Sequence, residues 1–198
     1  MRRNIHHLST ISVRMKRRIA CALFLAVLTA CAKSQTSQTT TATPSPAVAS
    51  PSSAPYYGAL PIDGIRCDHE EGAVEHVHIH LQIFLHGKVI VVPAQIGIPP
   101  TGLCLYWVHT HANDGIIHIE SPVKQPFTLG NFFDIWSQPL SLTRAASAVA
   151  PTGLVITVNG KPWHGADPRS ISLADYQEIV INAGLPQGNA KRADWSHM

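Results

Sequence analysis

Six histidines between residues 76 and 122 recur with the period of extended strands, and imidazoles so spaced suit one chemistry above others, the binding of a transition metal. His76, His78 and His80 alternate with Val77, Ile79 and Leu81, so one strand presents imidazoles on one face and aliphatic side chains on the other. The remaining three lie in LYWVHTHANDGIIHIESP, residues 105–122. Folded as a hairpin with Asn113 and Asp114 as its two-residue loop, this stretch sets His109 opposite His118, His111 opposite Ile116 and Trp107 opposite Glu120. Tyr106, Val108, Ile117 and Ile119 then share the other side. A bulge at Gly115 would mix the two sets, and a one-residue slip moves apolar side chains out of the core, so the segregating register is expected. It brings the Cβ atoms of His109 and His118 to about 4.5–5.5 Å, from which neutral imidazoles can converge on one ion at ~2.0–2.1 Å, as tetrahedral zinc requires.

One ion cannot take all six. His76 and His80 are ~13 Å apart along a strand, so either two sites exist or some rings stand outside the first coordination sphere. The expected centre combines His78 or His80 with His109, His111 and His118, flanked by Trp107 and Phe84. Its ligands must be deprotonated imidazoles, so binding should weaken as pH falls toward ~6.5 and below. Zinc and copper(II) both suit such ligands, and the order of intrinsic affinities favours copper in an unselective site. Glu120 and Asp114 are the candidate general bases should a metal-bound water react. His86 in a turn, His164 in a loop and His197 in the tail read as surface residues, while His69 lies in a polar loop as an outer ligand or a bystander. No HExxH, GxSxG or CxxC is present to supply a known hydrolytic or redox arrangement.

The elements that must position these rings are strands. Residues 76–85 are followed by a turn at His86-Gly87-Lys88 and a returning strand at Val89 to Val92, closed by Pro93. Thr128 is the expected N-cap of a short helix bearing Leu129, Phe132, Phe133 and Trp136 on one stripe. Residues 140–150 are expected to add a helical turn or two. Residues 154–158 run into Asn159-Gly160-Lys161 as another hairpin, a faint echo of the earlier strand-turn-proline pattern, and residues 176–182 form the last strand. The expected fold class is mainly β (α+β): antiparallel hairpins forming a sheet or small sandwich or barrel, with one or two short helices.

Ahead of this domain lies an export leader. Lys16, Arg17 and Arg18 precede an apolar run from Ile19 to Leu28 that is too short to span a bilayer. Residues 1–14 add nothing that export needs, which marks Met15 as the candidate start. The run ends Leu28-Thr29-Ala30-Cys31, which resembles the lipobox of bacterial lipoproteins, implying cleavage after residue 30, lipid on Cys31, and anchoring to the cell membrane or the outer membrane. Of residues 32–55, 20 of 24 are Ala, Ser, Thr or Pro, a composition that forms a tether rather than a core and reaches ~25–30 Å. The ordered domain is expected over residues 56–185, with a tail at 186–198. All 12 acidic residues follow Cys31, whereas six of the 15 basic ones precede it. The mature chain therefore carries nine basic residues and a formal balance of −3, which excludes the basic surface that nucleic acid requires.

With Cys31 assigned to lipid, Cys67 and Cys104 remain as a pair in an exported domain, and a disulfide is expected. The alternative, a thiolate ligand as in blue copper sites, calls for a weak axial Met, and the sole methionine after the leader is Met198.

The runs HVHIHL, VPAQIGI, YWVHTHANDGIIHIESP, FTLGNFFDIW and VNGKPWHGADPRSISL together resemble a family of exported bacterial lipoprotein-type domains for which no activity is established. The resemblance covers nearly all of residues 65–184 and implies the domain boundaries and the histidines, not a reaction. HxH on strands is also similar to cupins, but there the acidic ligand follows within a few residues, whereas Glu120 lies nine after His111, so cupin roles are not carried over. Three functions stand as expectations: a membrane-tethered extracytoplasmic metal-binding lipoprotein in metal handling or sensing, a metalloenzyme with an open coordination position, and an interaction domain whose histidines only pack.

Overall fold

A computed structural model describes residues 59–196 and 198. The expected leader at 1–30, Cys31, the expected tether at 32–55, the first residues of the expected domain and His197 lie outside the described residues. The strands are β1 (Cys67–Asp68), β2 (Glu75–Leu85), β3 (Lys88–Ile90), β4 (Leu105–Tyr106), β5 (Val108–His109) and β6 (Ile116–Ser121). After helix α1 (Leu129–Ile135) come β7 (Leu140–Ser141), β8 (Arg144–Ala145), β9 (Ala148–Val149), β10 (Leu154–Val158), β11 (Lys161–Pro162) and β12 (Gln177–Ala183). Among the described residues the fold is mainly β, with one α-helix, and the main sheet is open, ordered β11-β10-β12-β2-β6-β5 with β3 also on β2. Its pairings are antiparallel except that β12 runs parallel to β2, Gln177 beside Ile79 through Ala183 beside Leu85.

The period of two in β2 divides this sheet into unlike faces. Ile79 and Ile83 are completely buried together with Val108, Ile117, Ile179 and Ile181, and they share one core with Phe127, Leu129, Phe132 and Phe133. Full burial of side chains this size stabilises by about 1.5–3 kcal/mol each. The expected cap is in place: the Thr128 hydroxyl accepts the Asn131 N–H, and the Asn131 side chain accepts the Thr128 N–H at 2.8 Å, so Asn131 fills the role usually given to Glu or Gln. Both turns of the echo are real, with left-handed residues at His86 and Gly87 and again at Asn159 and Gly160, the conformation a two-residue hairpin loop requires.

Residues 140–150 do not form the expected helical turns. They fold as the three-stranded sheet β7-β8-β9, with Ala146 in the left-handed region. Ala145, Ala146, Ala148 and Ala150 are all buried, so alanine serves here by its small size, allowing close backbone approach, and not by helix propensity.

The tail is docked rather than free. The Gln82 side chain donates to the Lys191 carbonyl at 2.7 Å and accepts its N–H at 3.0 Å, Asn182 accepts the Gly188 N–H, and the Trp195 ring meets Tyr176 at 5.4 Å. Residues 188–195 thus cover the polar face of the sheet at the β12 end, burying Phe84 under Gly188.

Candidate metal centre

At the other end of that polar face the histidines gather. The β2–β6 register sets His78 opposite His118 and His76 opposite Glu120, and the β5–β6 register sets His109 opposite His118, as the segregating register requires. The hairpin itself is shorter than expected. After His109 the chain leaves β6 to bond with the 95–96 loop, Thr110 donating its N–H to the Ile96 carbonyl and accepting the Gln95 N–H at its own. His111 therefore reaches the cluster from a loop, with its Nε2 3.1 Å from His109 Nε2. Of the tip residues only Gly115 is left-handed; a Cβ there would stand 2.4 Å from the Leu81 carbonyl, so only glycine fits.

Two donor sets result. His76, His78 and His118 form one, and Glu71, His109, His111 and Glu120 the other; within each set the nearest ligand atoms all lie within 4.8 Å of one another, a spacing that could hold a metal ion. His109 is fully buried, and its Nδ1 lies 2.8 Å from the Tyr106 carbonyl. As the donor of that bond Nδ1 carries the proton, leaving the Nε2 lone pair toward the cluster, the usual way a fold fixes the tautomer of a ligand imidazole. Two buried polar atoms here have no hydrogen-bond partner, His118 Nδ1 and Glu120 Oε2, although buried polar groups ordinarily find one. Trp107 gives its Nε1–H to Asp68 at 2.8 Å and has Arg66 over its ring, contacts on the β1 side, and Phe84 lies under the tail.

Burial first, then the neighbouring imidazoles, pushes His118 down to about 3. Burial likewise takes His109 down to about 4 against the opposing bond to Tyr106, and burial followed by His76 lowers His78. Burial, then the Glu71 charge, raises Glu120. Both deep rings are thus neutral at pH 7. A base whose folded pKa is depressed leaves the unfolded chain binding more protons, so stability falls as pH drops through the interval between the two values. Metal-free protein should accordingly lose stability from about pH 6.5 downward, continuing to about pH 4 for His109 and about 3 for His118, by on the order of 1 kcal/mol per ring per pH unit. Denaturant midpoints measured from pH 7 to pH 5 check this; a flat profile would mean that the rings are not buried neutral.

Glu71 is the residue the spacing of the histidines did not reveal. It is brought in by the Cys67–Cys104 disulfide, with Cα atoms 5.3 Å apart, and by Gly72, whose backbone lies so close to Ser121 that a Cβ would stand 2.1 Å from its carbonyl carbon. The Gly72 and Val74 N–H groups bond to Glu120 and Ser121, fixing the loop along β6 with Glu71 Oε1 3.9 Å from His111 Nε2. The available signal was Glu71's place between a bridged cysteine and a glycine.

His80 joins neither donor set. It is buried, its Nδ1 2.7 Å from Glu178 Oε2, a partner delivered by the parallel register of β12. Asp114 also stands apart, its carboxylate accepting the Ile116 N–H within the turn. His69 bonds to the Leu103 carbonyl at 3.1 Å, His86 lies against Leu185 and Gly184, and His164 is exposed. Comparison with protein-family models, with curated proteins and with solved structures finds no match to this chain.

Proposed function

We propose that this protein is a lipid-anchored, extracytoplasmic transition-metal-binding protein that handles or senses zinc or copper. What carries the reading is the pair of buried atoms without hydrogen-bond partners, His118 Nδ1 and Glu120 Oε2, inside a concentration of five imidazoles and two carboxylates. Nitrogen and oxygen donors in that mixture suit borderline first-row divalent ions. The disulfide supports an oxidising compartment. Attachment is assigned to lipid on Cys31 from the lipobox-like Leu28-Thr29-Ala30-Cys31; no helix among the described residues is long and apolar enough to cross a membrane. Metal analysis of the full chain purified without chelator should find zinc or copper, and Cys31→Ala should release the protein from the membrane fraction. A metal-free chain that also fails to take up either ion would leave the interaction-domain reading; Cys31→Ala protein that stayed on the membrane would end the lipoprotein one.

A metalloenzyme remains the second reading, favoured by the exposed rim of the centre, where the His76 side chain is 59% accessible and that of Glu71 56%. Solvent or substrate can reach an ion from that side. Exchangeable water on the bound metal, read by relaxation of bulk water with copper(II) loaded, distinguishes it from closed storage.

A further inference from the structure

We infer that the centre is built for two ions with the Glu120 carboxylate between them, one oxygen to each, an inference that rests on the metal-binding reading above. The two oxygens face different partners. Oε1 lies 3.3 Å from His76 Nε2 and 3.8 Å from His118 Nδ1, whereas Oε2 lies 3.5 Å from His109 Nε2. Oε1 therefore belongs with His76, His78 and His118, and Oε2 with His109, His111 and Glu71. Counted this way, each half has four donors, the number a four-coordinate zinc takes. A single four-coordinate ion would leave three of the seven residues unused.

The edge lengths agree. Two ligands at ~2.0–2.1 Å in tetrahedral disposition stand about 3.3–3.4 Å from each other; the His109–His111 nitrogens are 3.1 Å apart, and the shorter two of the three Glu120 contacts are 3.3 and 3.5 Å. The two atoms without hydrogen-bond partners also divide between the halves, His118 Nδ1 to the first and Glu120 Oε2 to the second. Paired ions in proteins stand about 3.5–4 Å apart, a distance that a carboxylate sharing its oxygens can bridge. The ligand class is thus a pair of divalent first-row ions, zinc or copper(II), held in an N3O and an N2O2 environment sharing one residue. The open side of both lies at the exposed rim of His76, Glu71 and His111.

The test is stoichiometry in the full chain, stripped with chelator, reloaded with zinc and counted by elemental analysis after gel filtration. Wild type should hold two zinc ions. His76→Ala and Glu71→Ala, both exposed positions that leave the core untouched, should each hold one, and Glu120→Gln no more than one. Reloaded with copper(II), wild type should show a paramagnetic resonance signal that grows over the first equivalent and shrinks over the second as the ions couple. One zinc in wild type would overturn the pair yet keep the metal-binding reading; none would overturn both. Two ions retained in both His76→Ala and Glu71→Ala would place them elsewhere, and two retained in folded Glu120→Gln would remove the bridge. Should Glu120→Gln fail to fold, the two rim variants decide alone.

Discussion

Zinc at a thousandfold excess over its dissociation constant is expected to raise the unfolding free energy of the chelator-stripped protein by roughly 4 kcal/mol for each ion bound, because an ion that binds only the folded state stabilises it by mass action. The gain should depend on particular rings. His109→Ala and His118→Ala remove donors from the interior of the cluster and should weaken affinity by about 100-fold or more, exceeding the 10–100-fold typical of residues that merely orient a ligand. His164→Ala, an exposed loop position, should leave affinity unchanged. His80→Ala separates two roles: its ring serves Glu178 at 2.7 Å and not the cluster, so metal affinity should hold. Stability should instead drop on the order of 1–3 kcal/mol, as the buried Glu178 Oε2 loses its hydrogen-bond partner while Oε1 keeps the Ala193 N–H. Thermal denaturation with and without zinc, on all four variants, reads both quantities. Equal affinities across the four would leave the histidines as packing residues.

Replacing Cys67 and Cys104 together by alanine is expected to cost about 4 kcal/mol, the entropy of the closed loop of 37 residues in the chain-entropy model. It should also reach the metal centre. The bridge joins β1 to Cys104, the residue before β4, with Cys67 opposite Tyr106, and Glu71 follows Cys67 by four residues, in the loop after β1. Freed from the bridge, that loop must be ordered again at each binding event, so zinc affinity should fall even where the double variant is fully folded. Urea unfolding gives the first number and a competition titration the second. A variant with lowered stability and unaltered affinity would show that Gly72 alone holds Glu71 in place.

Much of the fold was legible because short-range physics wrote it. Alternation over residues 76–85 exposed the two faces of β2, Thr128 announced its helix, and the demand that apolar residues of 106–119 share one side was enough to bring His109 opposite His118. The illegible parts depend on partners distant in sequence or on size rather than propensity. Glu178 becomes His80's partner only through the parallel register of β12 on β2, which no local pattern encodes. Glu71 depends on a disulfide and a close backbone approach. In residues 140–150 strands stand where helical turns were expected, and the buried alanines there serve by occupying little space. Residues 188–195 carry no periodicity because hydrogen bonds to the side chains of Gln82, Glu178 and Asn182 hold them, not an apolar stripe.

The parallel pairing of β12 with β2 bears on the order in which the molecule can come into being. Ile79 waits for Gln177, 98 positions later, and β10 joins the sheet only through β12. The middle of the sheet therefore cannot close until almost the whole chain has been made, and contacts of such long range fold slowly.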